Sequence, residues 1–170
     1  MSILQVSDFA NGKYVIPTNP LQTTDLQTYI DDIQRSYLLQ MFGKELYDLF
    51  IADLTGTPQV PQTAKYLKVF NPFEDQTNDI LTISDGIKEM LKGFVYYIYL
   101  RDLVNRATTT GLTKVLHENS ENVSGIWYDL DRRYNEAVIT YNAIQYYMDD
   151  INPTDYTQFK GILLRINQPY

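Results

Sequence analysis

His117 is the only histidine of the chain, and two glutamates, Glu118 and Glu121, lie close to it. An imidazole beside carboxylates is a combination that binds metal ions and transfers protons. A zinc-protease helix needs two histidines four residues apart, so that both rings point at one ion, and this chain has no second histidine. We therefore expect a surface or interface histidine, and neither a metal nor another cofactor. The alternative hypothesis is a small helical metal- or ligand-binding domain, or an enzyme, that uses His117 and the nearby carboxylates.

Other sequence patterns of catalytic sites are missing. Paired carboxylates occur at Asp31-Asp32, Asp129-x-Asp131 and Asp149-Asp150, but residues one or two positions apart on a helix point in diverging directions. The sequence has no phosphate-binding glycine loop ending in Gly-Lys-Ser/Thr and no Gly-x-Ser-x-Gly turn. With one histidine and no cysteine, most nucleophile-base triads cannot be assembled. The sequence thus predicts that the protein is not an enzyme.

Charge and composition narrow the classes of partner. The 170 residues suffice for one domain with a substantial core. The formal net charge is −7 and lysines and arginines do not cluster, so binding to nucleic-acid phosphates is not expected. No secretory signal is visible at the N-terminus, and the longest apolar run, Phe94 to Leu100, is far too short to cross a bilayer. We expect a protein that is made in the cytoplasm and makes no contact with a membrane.

A helical corner is predicted between Leu38 and Phe50, where the sequence reads Leu-Leu-Gln-Met-Phe-Gly-Lys-Glu-Leu-Tyr-Asp-Leu-Phe. Apolar residues upstream recur at spacings of three and four, which is typical of one face of a helix. Gly43 can end that helix, because glycine adopts positive φ without a clash from a Cβ atom. A capping box at Thr24 and Gln27 predicts that the first helix covers about residues 25–42. The second helix is predicted over about 44–54.

Two long helices are predicted further along the chain. Ser84 and Asp85 favour a helix start, and the helix that follows, to about Arg106, is apolar on all sides near its centre, so it should be the central element. The last helix runs from about Ser124 to Asn152-Pro153 and presents an apolar seam from Trp127 to Met148. We expect that seam to pack on the central helix; the alternative is that it binds a partner helix.

The remaining segments lack a helical period. Residues 1–23 are predicted to form an extended N-terminal arm, residues 24–153 the helical domain, and residues 154–170 an apolar C-terminal tail. Within the domain we expect a helical turn over 64–70, a loop over 71–78, and an arm or hairpin over 108–124. Together these elements predict a mainly α fold: a small helical bundle around a long central helix, with an arm between the two long helices and with extended termini.

The corner also carries a family resemblance. A helix that runs into Leu-Leu-x-x-Phe-Gly-x-x-Leu-Tyr-x-Leu at residues 38–49 resembles the start of the head-to-tail connector proteins of tailed bacteriophages, also called adaptor or neck ring proteins. The order of the parts agrees between about residues 24 and 150: a long aromatic-rich helix, an arm containing Gly111-Leu112 and Glu118-Asn119-Ser120, and a second long helix. The tyrosine-rich composition and the arm also resemble connectors of the crAss-like group of gut phages.

The resemblance implies a structural virion protein. It would form a ring, usually of twelve copies, beneath the portal vertex, with portal protein on one side and tail or further neck ring proteins on the other. DNA would pass through the channel without sequence-specific binding, which is compatible with an acidic chain. We expect the arm and the termini to form the interfaces. The expected interface residues are Thr110, Gly111, Leu112, Val115, Leu116, Glu118, Asn119, Ser120, Phe159, Leu163, Leu164 and Tyr170.

Overall fold

The computed structural model describes residues 2–16, 20–77, 79–104 and 123–166. These residues form five α-helices and two short antiparallel hairpins, so the predicted mainly α fold is confirmed. The helices are α1 (Pro20–Phe42), α2 (Lys44–Asp53), α3 (Ala64–Phe70), α4 (Gly86–Val104) and α5 (Val123–Tyr146). The strands are β1 (Leu54–Thr55), β2 (Val60–Pro61), β3 (Phe73–Thr77) and β4 (Ile80–Ser84), with β1 paired to β2 and β3 paired to β4.

Helix α4 is the central element, as the sequence predicted. It packs against α1 and α5, and its Phe94 is completely buried. The Phe94 ring stacks on Tyr37 of α1, with ring centroids 3.9 Å apart, and Tyr134 of α5 meets it edge-on at 5.6 Å. Such aromatic pairs stabilise a core beyond the area that they bury. Helices α4 and α5 also approach closely at Gly93, where a Cβ atom would come within 2.8 Å of the Ala137 Cβ.

The apolar seam of α5 forms part of this core. Its members Leu130, Ala137, Tyr141, Ile144 and Met148 are buried, while the side chain of Trp127 lies outside the described part of the chain. These side chains are therefore packed inside the domain and are not available to a partner helix. A π-helical turn, Tyr147–Ile151, extends α5 to the predicted end at Asn152-Pro153.

Residues 2–16 differ from the extended arm predicted for residues 1–23. Val6–Phe9 and Gly12–Tyr14 form short 3-10 turns. Gln34 of α1, itself buried, accepts hydrogen bonds from the amides of Ile3 (2.9 Å) and Leu4 (3.3 Å). The apolar side chains of this segment have no regular spacing, but they still enter the core, because the turns fold the segment back onto the domain. The buried residues are Ile3, Leu4, Phe9, Tyr14 and Ile16.

Two further boundaries differ from the sequence predictions. Helix α1 begins at Pro20, upstream of the capping box at Thr24, because proline fits the first turn of a helix, where its missing N–H would have no helical partner. The predicted loop over 71–78 contains β3, which pairs with β4 in a register that places Glu74 opposite Ile83 and Gln76 opposite Leu81. The segment forms a hairpin because β3 pairs with β4, and such pairing between two segments cannot be recognised from either segment alone.

The predicted corner is confirmed. Helix α1 ends at Phe42, Gly43 has φ of +75°, and α2 begins at Lys44. A Cβ atom on Gly43 would lie 2.9 Å from the Lys160 Cβ and 3.0 Å from the Lys160 carbonyl oxygen. Two constraints therefore favour glycine here: the left-handed backbone conformation and the close approach of the C-terminal tail.

These two constraints can be separated by a pair of substitutions. Gly12 has φ of +86°, but no atom lies within 4 Å of the position that a Cβ would take there, so Gly12→Ala should cost only the left-handed penalty, about 1–2 kcal/mol. Gly43→Ala should cost about 1–3 kcal/mol more, because it also overpacks the contact with Lys160. Urea unfolding of both variants measures the difference. Equal free energies of unfolding would mean that the tail does not press on the corner.

Candidate protein-interaction surfaces

The C-terminal tail, residues 159–166, is bound at the corner through its backbone. A helix leaves its last four carbonyl groups without helical partners, and in α1 each of these carbonyls accepts another hydrogen bond. The four bonds are Gly43 N to Leu39 O (3.0 Å), Ile162 N to Gln40 O (3.0 Å), Gln145 Nε2 to Met41 O (3.0 Å) and Lys160 N to Phe42 O (3.1 Å). The tail, the corner and α5 thus together supply the hydrogen-bond donors for the last four carbonyl groups of α1.

Helix α5 also binds the tail. The Tyr141 hydroxyl donates to the Ile162 carbonyl (2.8 Å), and the Asn142 side chain both donates to the Leu164 carbonyl (3.0 Å) and accepts from the Leu164 amide (3.2 Å). The Asn142 side-chain amide therefore pairs with the backbone of Leu164, as the backbone of a neighbouring β-strand would. Burial, together with the nearby Tyr37, raises the pKa of Tyr141 far above its usual range, so this hydroxyl keeps its proton and its donor role at neutral pH.

The bound tail keeps one free side. Phe159 and Leu164 are half-buried against the core, but Ile162, Leu163 and Ile166 are 66%, 70% and 52% exposed. Within the described residues, the backbone groups of Leu163 have no hydrogen-bond partner, whereas both neighbours in the alternation, Ile162 and Leu164, use theirs for binding. The tail therefore presents the unpaired backbone groups of Leu163 and three apolar side chains to solvent.

The β3–β4 hairpin is a second exposed apolar surface. Thr82 and Ser84 are buried, whereas Ile80, Leu81 and Ile83 are 51%, 57% and 53% exposed. The usual arrangement on a half-covered sheet is the reverse, with apolar residues inside and polar residues outside. Because β4 lies against α5 with the face of Thr82 and Ser84, its outward face carries Leu81 and Ile83, while Ile80 is exposed at the turn end of the strand. An exposed apolar patch of this kind is typical of a protein–protein contact.

The hairpin is also acidic. Residues 73–85 include four carboxylates and neither lysine nor arginine; the carboxylates are Glu74, Asp75, Asp79 and Asp85. In contrast, residues 159–166 contain Lys160 and Arg165 and no acidic residue. The two segments thus carry opposite formal charge.

The groove beside the tail does not have the shape of a small-molecule site. The groove beside the tail, about 290 Å³, is lined by Gln145, Tyr146, Asp149, Asp150, Phe159, Gly161 and Leu163, and it is open to solvent, unlike the enclosed apolar clefts that bind small molecules. No group of three or more metal-ligating side chains occurs there or elsewhere in the described parts of the chain. His117, Glu118 and Glu121 lie outside the described residues. Of the helices described, none is long and apolar enough to cross a membrane.

The predicted interface residues divide into three groups. Leu163 is exposed, as an interface residue should be, whereas Phe159 and Leu164 contribute to the core of their own domain. The rest lie outside the described residues: Thr110, Gly111, Leu112, Val115, Leu116, Glu118, Asn119, Ser120 and Tyr170.

The hairpin surface was not predicted from the sequence. Ile80-Leu81-Thr82-Ile83 is a short run rich in β-branched residues, and it is bounded by Asn78-Asp79 and Ser84-Asp85. Such a run between turn residues is typical of a strand. This signal could have predicted β4, although not which of its faces would be exposed.

Comparisons of the chain with protein-family models, with curated proteins and with solved structures find no match. The function is therefore proposed from the resemblance at residues 38–49 and from the geometry and chemistry of the two surfaces.

Binding of the tail can be tested at Gly161, where a Cβ atom would collide with the Met41 carbonyl and the Gln145 side-chain amide. We expect Gly161→Ala to release the tail. If the free energy of local opening falls by about 1.4 kcal/mol, the open population rises about tenfold, and tryptic cleavage after Lys160 accelerates by the same factor. Mass spectrometry of timed digests measures this rate.

The matched control is Ile162→Ala, which removes an exposed side chain but keeps every backbone hydrogen bond of the tail. It should leave the cleavage rate unchanged. Equal rates for Gly161→Ala and the wild type would contradict the bound position of the tail.

Proposed function

We propose that this protein is a structural protomer of the head-to-tail connector of a tailed bacteriophage. In this proposal it forms a ring at the portal vertex of the virion, contacts portal protein on one side and tail or other neck ring proteins on the other, and surrounds the channel through which DNA passes. The protein is made in the cytoplasm of the host bacterium. Twelve copies are the number that the resemblance at residues 38–49 implies.

The observation that supports this proposal best is the presence of two different apolar surfaces, the tail and the hairpin, on one small helical domain. A contact between unlike surfaces of identical chains is heterologous, and it builds either a closed ring or an open filament. A protein with a single self-complementary patch would instead form a two-fold dimer. Two unlike surfaces are thus what a ring protomer requires.

Charge supports the same proposal. The chain carries −7 overall, and a channel with an acidic wall repels DNA, so that DNA slides through without being retained. The alternative, a small metal- or ligand-binding domain that uses His117, depends on residues outside the described part of the chain, and no observation on the described residues favours it.

Assembly is the direct test of the proposed function. We expect the purified protein, mixed with the portal protein encoded near its gene, to form rings that mass photometry resolves as multiples of the protomer mass. Leu163→Asp should weaken assembly, because it places a charge at an apolar contact. Leu49→Asp is the matched control, since Leu49 is an exposed leucine (46%) on α2 and belongs to neither surface.

The outcomes separate clearly. A wild-type protein that stays monomeric at every concentration and does not associate with portal protein would contradict the proposed function. An equal effect of the two aspartate substitutions would remove the tail from the interface.

Replacement of the single histidine tests the alternative. If the protein is a structural ring protomer, His117→Ala should assemble like the wild type, and metal analysis of the purified protein should find no stoichiometric metal. A bound metal that His117→Ala abolishes would favour the metal-binding alternative instead.

A further inference from the structure

We propose that the tail of one copy binds along the β3–β4 hairpin of the next copy, as an added strand. This inference rests on the proposed function and names the receiving surface of its ring contact. In this arrangement Leu163 lies against the outward Leu81 and Ile83 of the neighbour.

Within the described residues, both the tail and the hairpin have backbone N–H and C=O groups that form no hydrogen bond with the protein. The tail has no regular secondary structure, and within the described residues the backbone groups of Leu163 form no hydrogen bond. The hairpin has only two strands, and within the described residues no backbone hydrogen bond joins β3 or β4 to any segment outside it. A two-stranded hairpin is marginally stable alone, and a third strand stabilises it by pairing a free edge. Each element thus offers unpaired backbone groups with which the other can form hydrogen bonds.

The charges of the two elements are complementary. The hairpin segment 73–85 has four carboxylates and no basic residue, whereas the tail segment 159–166 has two basic residues and no carboxylate. In a chain of net charge −7, the tail is therefore a basic segment, and an acidic strip favours its docking and its register. Two tails, or two hairpins, would repel each other.

The tail and the hairpin contact different residues of α5 and of the π-helical turn that extends it. The tail binds Asn142 of α5, whereas the Phe73 ring of the hairpin lies 4.8 Å from that of Tyr147. Within the described residues, no backbone hydrogen bond joins the tail to the hairpin. A tail that stays bound to Asn142 therefore leaves the edges of its own hairpin to another copy.

Cross-linking tests this contact without background, because the natural chain has no cysteine. Leu81→Cys and Leu163→Cys are prepared as two separate full-length proteins, each substituted at an exposed position. They are mixed under the conditions in which the wild type assembles, and a short bismaleimide joins cysteines that lie close together, even if the register is shifted by a residue. The matched control mixes Leu163→Cys with Leu49→Cys.

We expect the Leu81–Leu163 dimer to form at least about tenfold faster than the Leu49–Leu163 dimer, which corresponds to a preference of about 1.4 kcal/mol for the proposed contact. Peptide mass spectrometry identifies the joined positions. Wild-type assembly is measured in parallel by mass photometry. Rings that form while the two dimers appear at equal rates would overturn the hairpin contact and leave the proposed ring intact. Absence of any wild-type assembly would overturn both.

Discussion

Helix α1 ends with four carbonyl groups that the helix itself cannot satisfy, and the way in which the chain satisfies them organises the domain. One carbonyl is bound by the corner at Gly43, two by the amides of Lys160 and Ile162, and one by the side chain of Gln145. Because these donors come from three parts of the chain, the end of α1 holds the corner, the tail and α5 in one arrangement. Gly43 makes this possible, since any side chain would occupy the space taken by Lys160.

The same hydrogen bonds bind the tail to the domain and leave part of it exposed. Ile162 and Leu164 use their backbone groups for binding to the domain, while the side chains of Ile162 and Leu163 are 66% and 70% exposed. The hairpin packs its polar residues Thr82 and Ser84 inward and leaves Leu81 and Ile83 exposed. Helix α5 contacts both elements, and its own apolar seam stays in the core.

Several elements could be predicted because their causes are local. Gly43, with apolar helical faces on both sides, indicates a corner, and the all-round apolar centre of α4 indicates a covered central helix. Other elements could not be predicted. The N-terminal segment lacks any period, yet the buried Gln34 holds it in place by accepting from the amides of Ile3 and Leu4. The hairpin depends on pairing between β3 and β4, and the sequence of β3 alone reads as a loop.

By itself the sequence determined the helices, the corner and the charge of each segment, because these follow from side-chain spacing, from glycine's freedom at positive φ and from composition. Only the tertiary structure decided which apolar residues are left over for partners. Phe159, Leu163 and Leu164 look alike in the tail sequence, but two of them pack on the core and one is free. The physical reason is that exposure depends on contacts between distant residues, such as Gln145 and Met41, which are 104 positions apart.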